Sequence, residues 1–146
     1  MTDRPGDASG GGLRFSLTHR TTPDGLAPTR AFAGAVARAL GAGAEQVEDL
    51  KLAVTEACVN AIEAGISEEI GVDIIETGGR VVVRVGLVDP DQPEFIGFDL
   101  IAALFGSLEF RPDPSGGAVV EFGFVPERPP APEVDPAGGS EATEDD

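Results

Sequence analysis

The chain has 146 residues, of which 41% are hydrophobic, and a formal net charge of −16. This length is enough for one domain with one core. The charge repels nucleic-acid phosphates, so we expect no DNA or RNA binding and favour a protein partner with a basic surface. No apolar run approaches the roughly 18 residues of a membrane span and no secretory signal is visible, which predicts a cytoplasmic protein. The single Cys58 excludes an internal disulfide and a multi-cysteine zinc site.

Both ends of the chain differ in composition from the middle. Residues 126–146 contain seven acidic residues, one arginine and five prolines, whereas residues 1–12 are rich in glycine. Neither segment has enough apolar side chains to offset the entropy of ordering. We therefore predict disordered segments at 1–12 and 126–146 around a folded domain of residues 13–125. The acidic tail is either a tether, a decoy for a basic partner or a solvating segment.

The first three predicted elements are a strand and two helices. Residues 13–19, LRFSLTH, alternate apolar and polar side chains, as a half-buried strand does. Apolar residues at helical spacing follow, with Pro28 in the first turn, and predict a helix that ends near Gly41. A second helix is predicted from Ala44 to Ala64, where Gly65 stops it.

Four strands and one short helix complete the predicted domain. The β-branched runs GVDIIET and RVVVRVGLVD are joined through Gly78 and Gly79, which indicates a hairpin. DPDQPE predicts a loop, IGFDLIAALFG a helix, and SLEFRPD and AVVEFGFV two further strands. The order is β-α-α-β-β-α-β-β, and the short turns favour antiparallel pairing. The predicted fold is an α+β two-layer sandwich with helices on one face of the sheet.

The second helix has an unusual polar stripe. Its apolar arc covers roughly 160° of the helical wheel and includes Cys58, which predicts an inert, packed thiol. The narrow remaining stripe consists of Asp49, Glu56, Asn60 and Glu63. One interpretation is the solvated face of a surface helix. The other is a cation or phosphate site, in which the Asn60 amide oxygen binds Mg²⁺ and Glu56 accepts a proton from an attacking hydroxyl.

The segment EDLKLAVTEACVNAIEAG resembles the N-box helix of the GHKL, or Bergerat-fold, ATPases, and most closely the anti-sigma-factor serine kinase branch. The resemblance extends over most of residues 13–125. It implies that Glu56 is the general base and Asn60 the magnesium ligand. It also implies that Asp89 contacts adenine, that Gly97 lies at the phosphates and that Gly117 lies near the adenine end. The implied cofactors are ATP and Mg²⁺, and the implied partners are a sigma factor and an anti-sigma antagonist, with a homodimer as the common assembly.

Several parts of that family's nucleotide-binding pattern are altered here. Pro90, Gln92 and Pro93 replace the glycine-containing segment that normally follows the adenine aspartate. Proline fixes φ and lacks an N–H, so this loop cannot take the shape of a glycine loop. The lid is reduced to seven residues before Gly97, and Asp99 follows it at the helix start, where it disfavours a triphosphate.

The sequence therefore supports three functional hypotheses. The first is an anti-sigma-factor-like regulator that acts by protein binding on a degenerate ATPase scaffold. The second is an active serine kinase that uses Glu56, Asn60 and Asp89. The third is a structural domain in which Glu56 and Asn60 are only solvated residues.

Overall fold

The computed structural model describes residues 12–128. The predicted disorder of residues 1–12 and 126–146 falls largely outside this range. Within it, the chain forms five strands, three α-helices and one 3₁₀ turn. The strands are β1 (Leu13–Arg20), β2 (Glu69–Thr77), β3 (Arg80–Val88), β4 (Glu109–Pro112) and β5 (Ala118–Phe124). The α-helices are α1 (Leu26–Ala39), α2 (Ala44–Ala64) and α3 (Gly97–Phe105), and the 3₁₀ turn is Pro23–Gly25.

The five strands form one sheet with the order β1-β2-β3-β5-β4, and every described pair is antiparallel. The helices pack on one face of this sheet, so the α+β sandwich predicted from the sequence is confirmed. The predicted element order is also confirmed, and the bounds of α2 match the prediction. The 3₁₀ turn was not predicted, and β4 is shorter than the seven residues assigned to it.

The core lies between α2 and the inner face of the sheet. Alternate residues of β2, β3 and β5 point inward, as the two-residue period of a strand requires. They meet the apolar arc of α2, in which Cys58 is buried as predicted. The largest fully buried side chains include Leu50, Val54, Ile70, Ile74, Val83, Ile101 and Val120. This packing fixes the position of α2 relative to the end of β3.

The start of α2 is joined to the end of β5 by one side chain. The Gln46 amide nitrogen donates to the Val125 carbonyl at 2.9 Å, and Gln46 Oε1 accepts from the Glu127 N–H at 2.8 Å. Gln46 Oε1 also accepts from the Gly43 N–H at 3.0 Å, which caps the helix. No helix among the described residues is both long and apolar enough to cross a membrane.

Two tight turns depend on glycine. Gly78 and Gly79 both have positive φ, +60° and +78°, as a two-residue hairpin turn requires. Gly117 also has positive φ, +69°, but it is crowded as well. A Cβ atom there would lie 2.7 Å from Ile66 Cδ1 and 2.8 Å from the Val88 carbonyl oxygen.

This difference gives a matched pair of substitutions. Gly78→Ala is expected to cost about 1 kcal/mol, because only the backbone conformation is strained. Gly117→Ala is expected to cost about 1–3 kcal/mol more, because the new methyl group also overlaps the Val88 carbonyl and Ile66. Urea denaturation of both variants measures the free energy of unfolding. Equal destabilisation of the two variants would show that the close contact at Gly117 is absent.

Candidate functional site

Two residues of the polar stripe of α2, Glu56 and Asn60, differ in their exposure to solvent. Glu56 and Asn60 lie one turn apart, so their side chains leave the helix in similar directions. Glu56 is partly exposed, whereas Asn60 is 0% exposed. The interpretation of this stripe as a purely solvated face is therefore wrong for Asn60. A helical wheel could not distinguish the two, because the cover over Asn60 comes from a distant part of the chain.

Asn60 is held by two hydrogen bonds to the backbone of Asp89. The Asn60 amide nitrogen donates to the Asp89 carbonyl at 3.0 Å, and the Asp89 N–H donates to Asn60 Oδ1 at 2.7 Å. The side-chain amide thus imitates a neighbouring strand at the point where β3 ends. A buried amide in this position stabilises the fold because its donor and its acceptor are both paired.

The loop of residues 89–97 turns back toward α2 immediately after this contact. The Asp89 carboxylate accepts a hydrogen bond from the Asp91 N–H at 2.9 Å, so it supports its own turn. The Gln92 side chain then donates to Glu63 Oε1 at 2.7 Å. Glu94 has a φ of +64°, an unusual value for a residue with a side chain. These contacts fasten the loop along the polar stripe of α2.

Gly97 begins α3 beside Glu56. A Cβ atom at Gly97 would lie 2.4 Å from the Phe95 ring and 2.8 Å from Glu56 Oε1, so only glycine fits this approach without movement. The Phe98 ring makes edge contacts at 4.9 Å with both Phe95 and Phe110. These rings fix the start of α3 against the sheet and against the loop.

A groove of about 370 Å³ lies between α2 and the loop. We refer to it as the acidic groove, and its lining residues are Glu56, Glu63, Gln92, Pro93, Glu94, Phe95, Ile96 and Gly97. Three of these eight residues are carboxylates, and none is a lysine or an arginine. Among the residues that the structure describes, no cluster of three or more histidine, cysteine or acidic side chains has metal-binding geometry.

The five residues singled out from the sequence lie around this one loop. Asn60 contacts Asp89, Glu56 borders Gly97, and Gly117 approaches the carbonyl of Val88, the neighbour of Asp89. Sequence reasoning missed Ile66, whose side chain packs against Gly117. A large apolar residue directly after the helix-stopping Gly65 was the available signal. Nothing in the sequence indicated the backbone conformation of Glu94.

Three comparisons with known proteins bear on this arrangement. Residues 20–97 match the family described as histidine kinase-like ATPase domain. The chain is 36% identical over 89 residues to a protein named serine-protein kinase RsbW from Bacillus pumilus (strain SAFR-032), with 61% of this chain and 49% of that protein covered. A crystal structure of the RsbU and RsbW domains of Rv1364c from Mycobacterium tuberculosis has a TM-score of 0.63 and 20% identity, and covers 77% of this chain and 32% of that one.

The family match spans more than half of the chain, so this protein belongs to the histidine kinase-like ATPase domain family. The solved structure shows the same fold. The chain spans about half the length of the curated relative and about a third of the solved chain. The resemblance drawn from the α2 segment is thereby confirmed at the level of family and fold.

The hydrogen bonds of Asn60 can be tested by truncation. Asn60→Ala leaves the partly buried N–H and carbonyl of Asp89 without these partners, so we expect a loss of about 2–4 kcal/mol in the free energy of unfolding. The control is Gln92→Ala, which removes a hydrogen bond to the exposed Glu63 and is expected to cost about 0.5 kcal/mol or less. Chemical denaturation of both variants decides the point. A loss of unfolding free energy in Asn60→Ala no larger than that in Gln92→Ala would contradict the hydrogen bonding between Asn60 and Asp89.

The buried thiol provides a pH-dependent test. Burial raises the pKa of Cys58 to about 12, from an ordinary value of 9.0. The folded state therefore retains its proton while the unfolded state loses it, and stability falls as the pH rises from about 9 toward 12. The expected slope is up to about 1.4 kcal/mol per pH unit, measured by denaturation between pH 8 and 10.5. The Cys58→Ala variant should lose this component; an unchanged slope in that variant would contradict the assignment.

Proposed function

We propose that this protein is an anti-sigma-factor-like regulator that acts by binding a protein partner and does not depend on ATP. The observation that carries the proposal is the pair of hydrogen bonds between the Asn60 side chain and the Asp89 backbone. They engage the Asn60 side chain, which the family resemblance assigns to magnesium, while the Asp89 carboxylate, which it assigns to adenine, accepts the Asp91 N–H. In this arrangement both residues serve the fold.

The first support comes from the position of Asn60 relative to a magnesium ion. Mg²⁺ binds oxygen ligands at about 2.0–2.1 Å and usually keeps several water molecules. Asn60 Oδ1 is fully buried and already accepts the Asp89 N–H. Turning it toward an ion would leave that N–H unpaired, at a cost of about 1–3 kcal/mol. The residue present therefore does not fit the role of a magnesium ligand in this conformation.

The second support is the charge of the acidic groove. A triphosphate is stabilised by lysine, arginine and metal ions that neutralise its oxygens. The groove instead presents Glu56, Glu63 and Glu94, and no basic residue lines it. Asp99 adds a further carboxylate in the first turn of α3. These side chains repel a nucleotide triphosphate, so the described residues do not fit MgATP.

The third support is the retained fold. The described residues form a five-stranded sheet, a packed core and the N-box-like helix, whereas residues 89–97 depart from the glycine-containing pattern that the resemblance implies. Because function depends on the site and not on the fold, such a scaffold can act by protein contact without a nucleotide. Because the sequence resembles the anti-sigma-factor serine kinase branch, we propose a sigma factor or an anti-sigma antagonist as the partner, with bacterial transcription control as the setting.

A serine kinase is the second candidate function. The observation that favours it is the placement of Glu56, which lines the groove beside the start of α3. On this hypothesis Glu56 accepts the proton of the substrate hydroxyl and Asn60 holds Mg²⁺, while Asp89, Gly97 and Gly117 border the nucleotide. The name of the curated relative, a serine-protein kinase, agrees with this candidate.

Calorimetric titration with ATP and Mg²⁺ separates the two functions. We expect no binding up to millimolar ATP, since several lost contacts of about 0.5–3 kcal/mol each take a micromolar site beyond that range. Saturable micromolar binding would contradict the proposal. Transfer of labelled γ-phosphate to an antagonist protein, abolished in Glu56→Gln, would establish the kinase instead.

The contact function requires its own measurement. Each sigma factor and antagonist domain of the source genome is titrated against the full chain in nucleotide-free buffer. We expect one of them to bind with unchanged affinity when ATP and Mg²⁺ are added. Binding that requires ATP, or no binding by any of these proteins, would contradict a nucleotide-independent anti-sigma role.

A further inference from the structure

The acidic groove combines negative charge with an exposed apolar border, and this combination specifies a kind of partner surface. We propose that the groove receives an arginine or lysine side chain from a basic amphipathic segment of the protein partner. This inference rests on the proposed contact function, because it places a protein side chain where the family's resemblance places a nucleotide.

The charge balance favours a cation. Glu56, Glu63 and Glu94 contribute three negative charges to the lining. The N-terminal end of α3 opposes them with roughly half a positive charge, and Asp99 in its first turn offsets that contribution. A partly enclosed site of one sign attracts the opposite charge and increases the association rate.

The apolar border fits the rest of a long basic side chain. Ile96 is 75% exposed, although it is a large aliphatic residue, and Phe95 and Pro93 continue the surface beside it. Arginine and lysine carry an apolar stem below a charged head, so the stem packs on such a border while the head reaches the carboxylates. A neighbouring aliphatic residue of the partner would cover Ile96. Arginine is the better ligand because its planar head binds carboxylates through two hydrogen bonds.

One lining residue, Gln92, has an unpaired acceptor. Gln92 Oε1 is buried and has no hydrogen-bond donor among the residues that the structure describes. The other end of that amide is fixed by its bond to Glu63. Buried acceptors are nearly always paired in stable structures. On this proposal, a movement of the Gln92 side chain opens the oxygen to an N–H group of the ligand. A guanidinium carries five such donors.

The outer face of the sheet differs from the acidic groove in its charge balance. Glu121 lies 2.9 Å from Arg84 and 3.0 Å from Arg111, and Arg14 lies 3.0 Å from Asp73. Charges on that face are thus compensated within the chain. The acidic groove has no such compensation among its lining residues, which makes it the better site for a basic partner.

The test uses the isotope-labelled full chain and a defined probe. The probe is a synthetic twelve-residue peptide with arginine and leucine at helical spacing; the matched peptide has glutamate in place of each arginine. We expect the arginine peptide to shift the backbone resonances of residues 92–97 and of Glu56 and Glu63, and the glutamate peptide to leave them unchanged. Affinity should fall about tenfold or more in Glu56→Gln/Glu94→Gln, and severalfold in Ile96→Ser.

The control variant is Glu45→Gln/Glu109→Gln, which removes the same charge from exposed positions outside the groove lining. It should change the affinity by less than twofold. Equal weakening in both double variants, or shifts that map to another surface, would overturn the inference. Retained spectral dispersion verifies that each variant is folded.

Titration of the same samples with ATP and Mg²⁺ tests the underlying function separately. Peptide binding in the groove together with saturable ATP binding would refute the nucleotide-independent function and leave the cationic site in place. No peptide shifts, together with no ATP binding, would overturn the cationic site and leave the contact function standing.

Discussion

The candidate site depends on one interaction, the double hydrogen bond between the Asn60 side chain and the Asp89 backbone. It joins the C-terminal part of α2 to the residue that follows strand β3, across 29 residues of sequence. Because Asn60 is fully buried, water cannot replace these hydrogen bonds when they break. The loop that follows is consequently held on the helix, and its closed path creates the acidic groove.

The core and the loop of residues 89–97 place different demands on the sequence. The core between α2 and the sheet needs only apolar side chains at the correct period, and those are present throughout. A nucleotide site also needs glycine-rich backbone and positive charge. Residues 89–99, which the family resemblance places beside the nucleotide, contain two prolines and four carboxylates. None of these prolines and carboxylates belongs to the core cluster, so the core does not depend on them.

Much of this architecture could be predicted from the sequence because its signals are local. The apolar arc and the terminal Gly65 defined α2, and the Gly78–Gly79 pair defined the β2–β3 hairpin. Two short elements were predicted less well. The Pro23–Gly25 turn has no periodicity, and β4 ends at a proline, which cannot donate to a ladder. The burial of Asn60 could not be predicted. It depends on Asp89, a partner far along the chain, and a helical wheel contains no information about such a partner.

The most direct test of this account is amide hydrogen exchange at Asp89 in the labelled full chain, with and without millimolar ATP and Mg²⁺. If Asn60 is committed to the backbone, the Asp89 amide proton is protected, and both its exchange rate and the Asn60 side-chain resonances stay unchanged when nucleotide is added. Rapid exchange at Asp89 without ligand, or a shift of the Asn60 side-chain resonances on addition of MgATP, would contradict it.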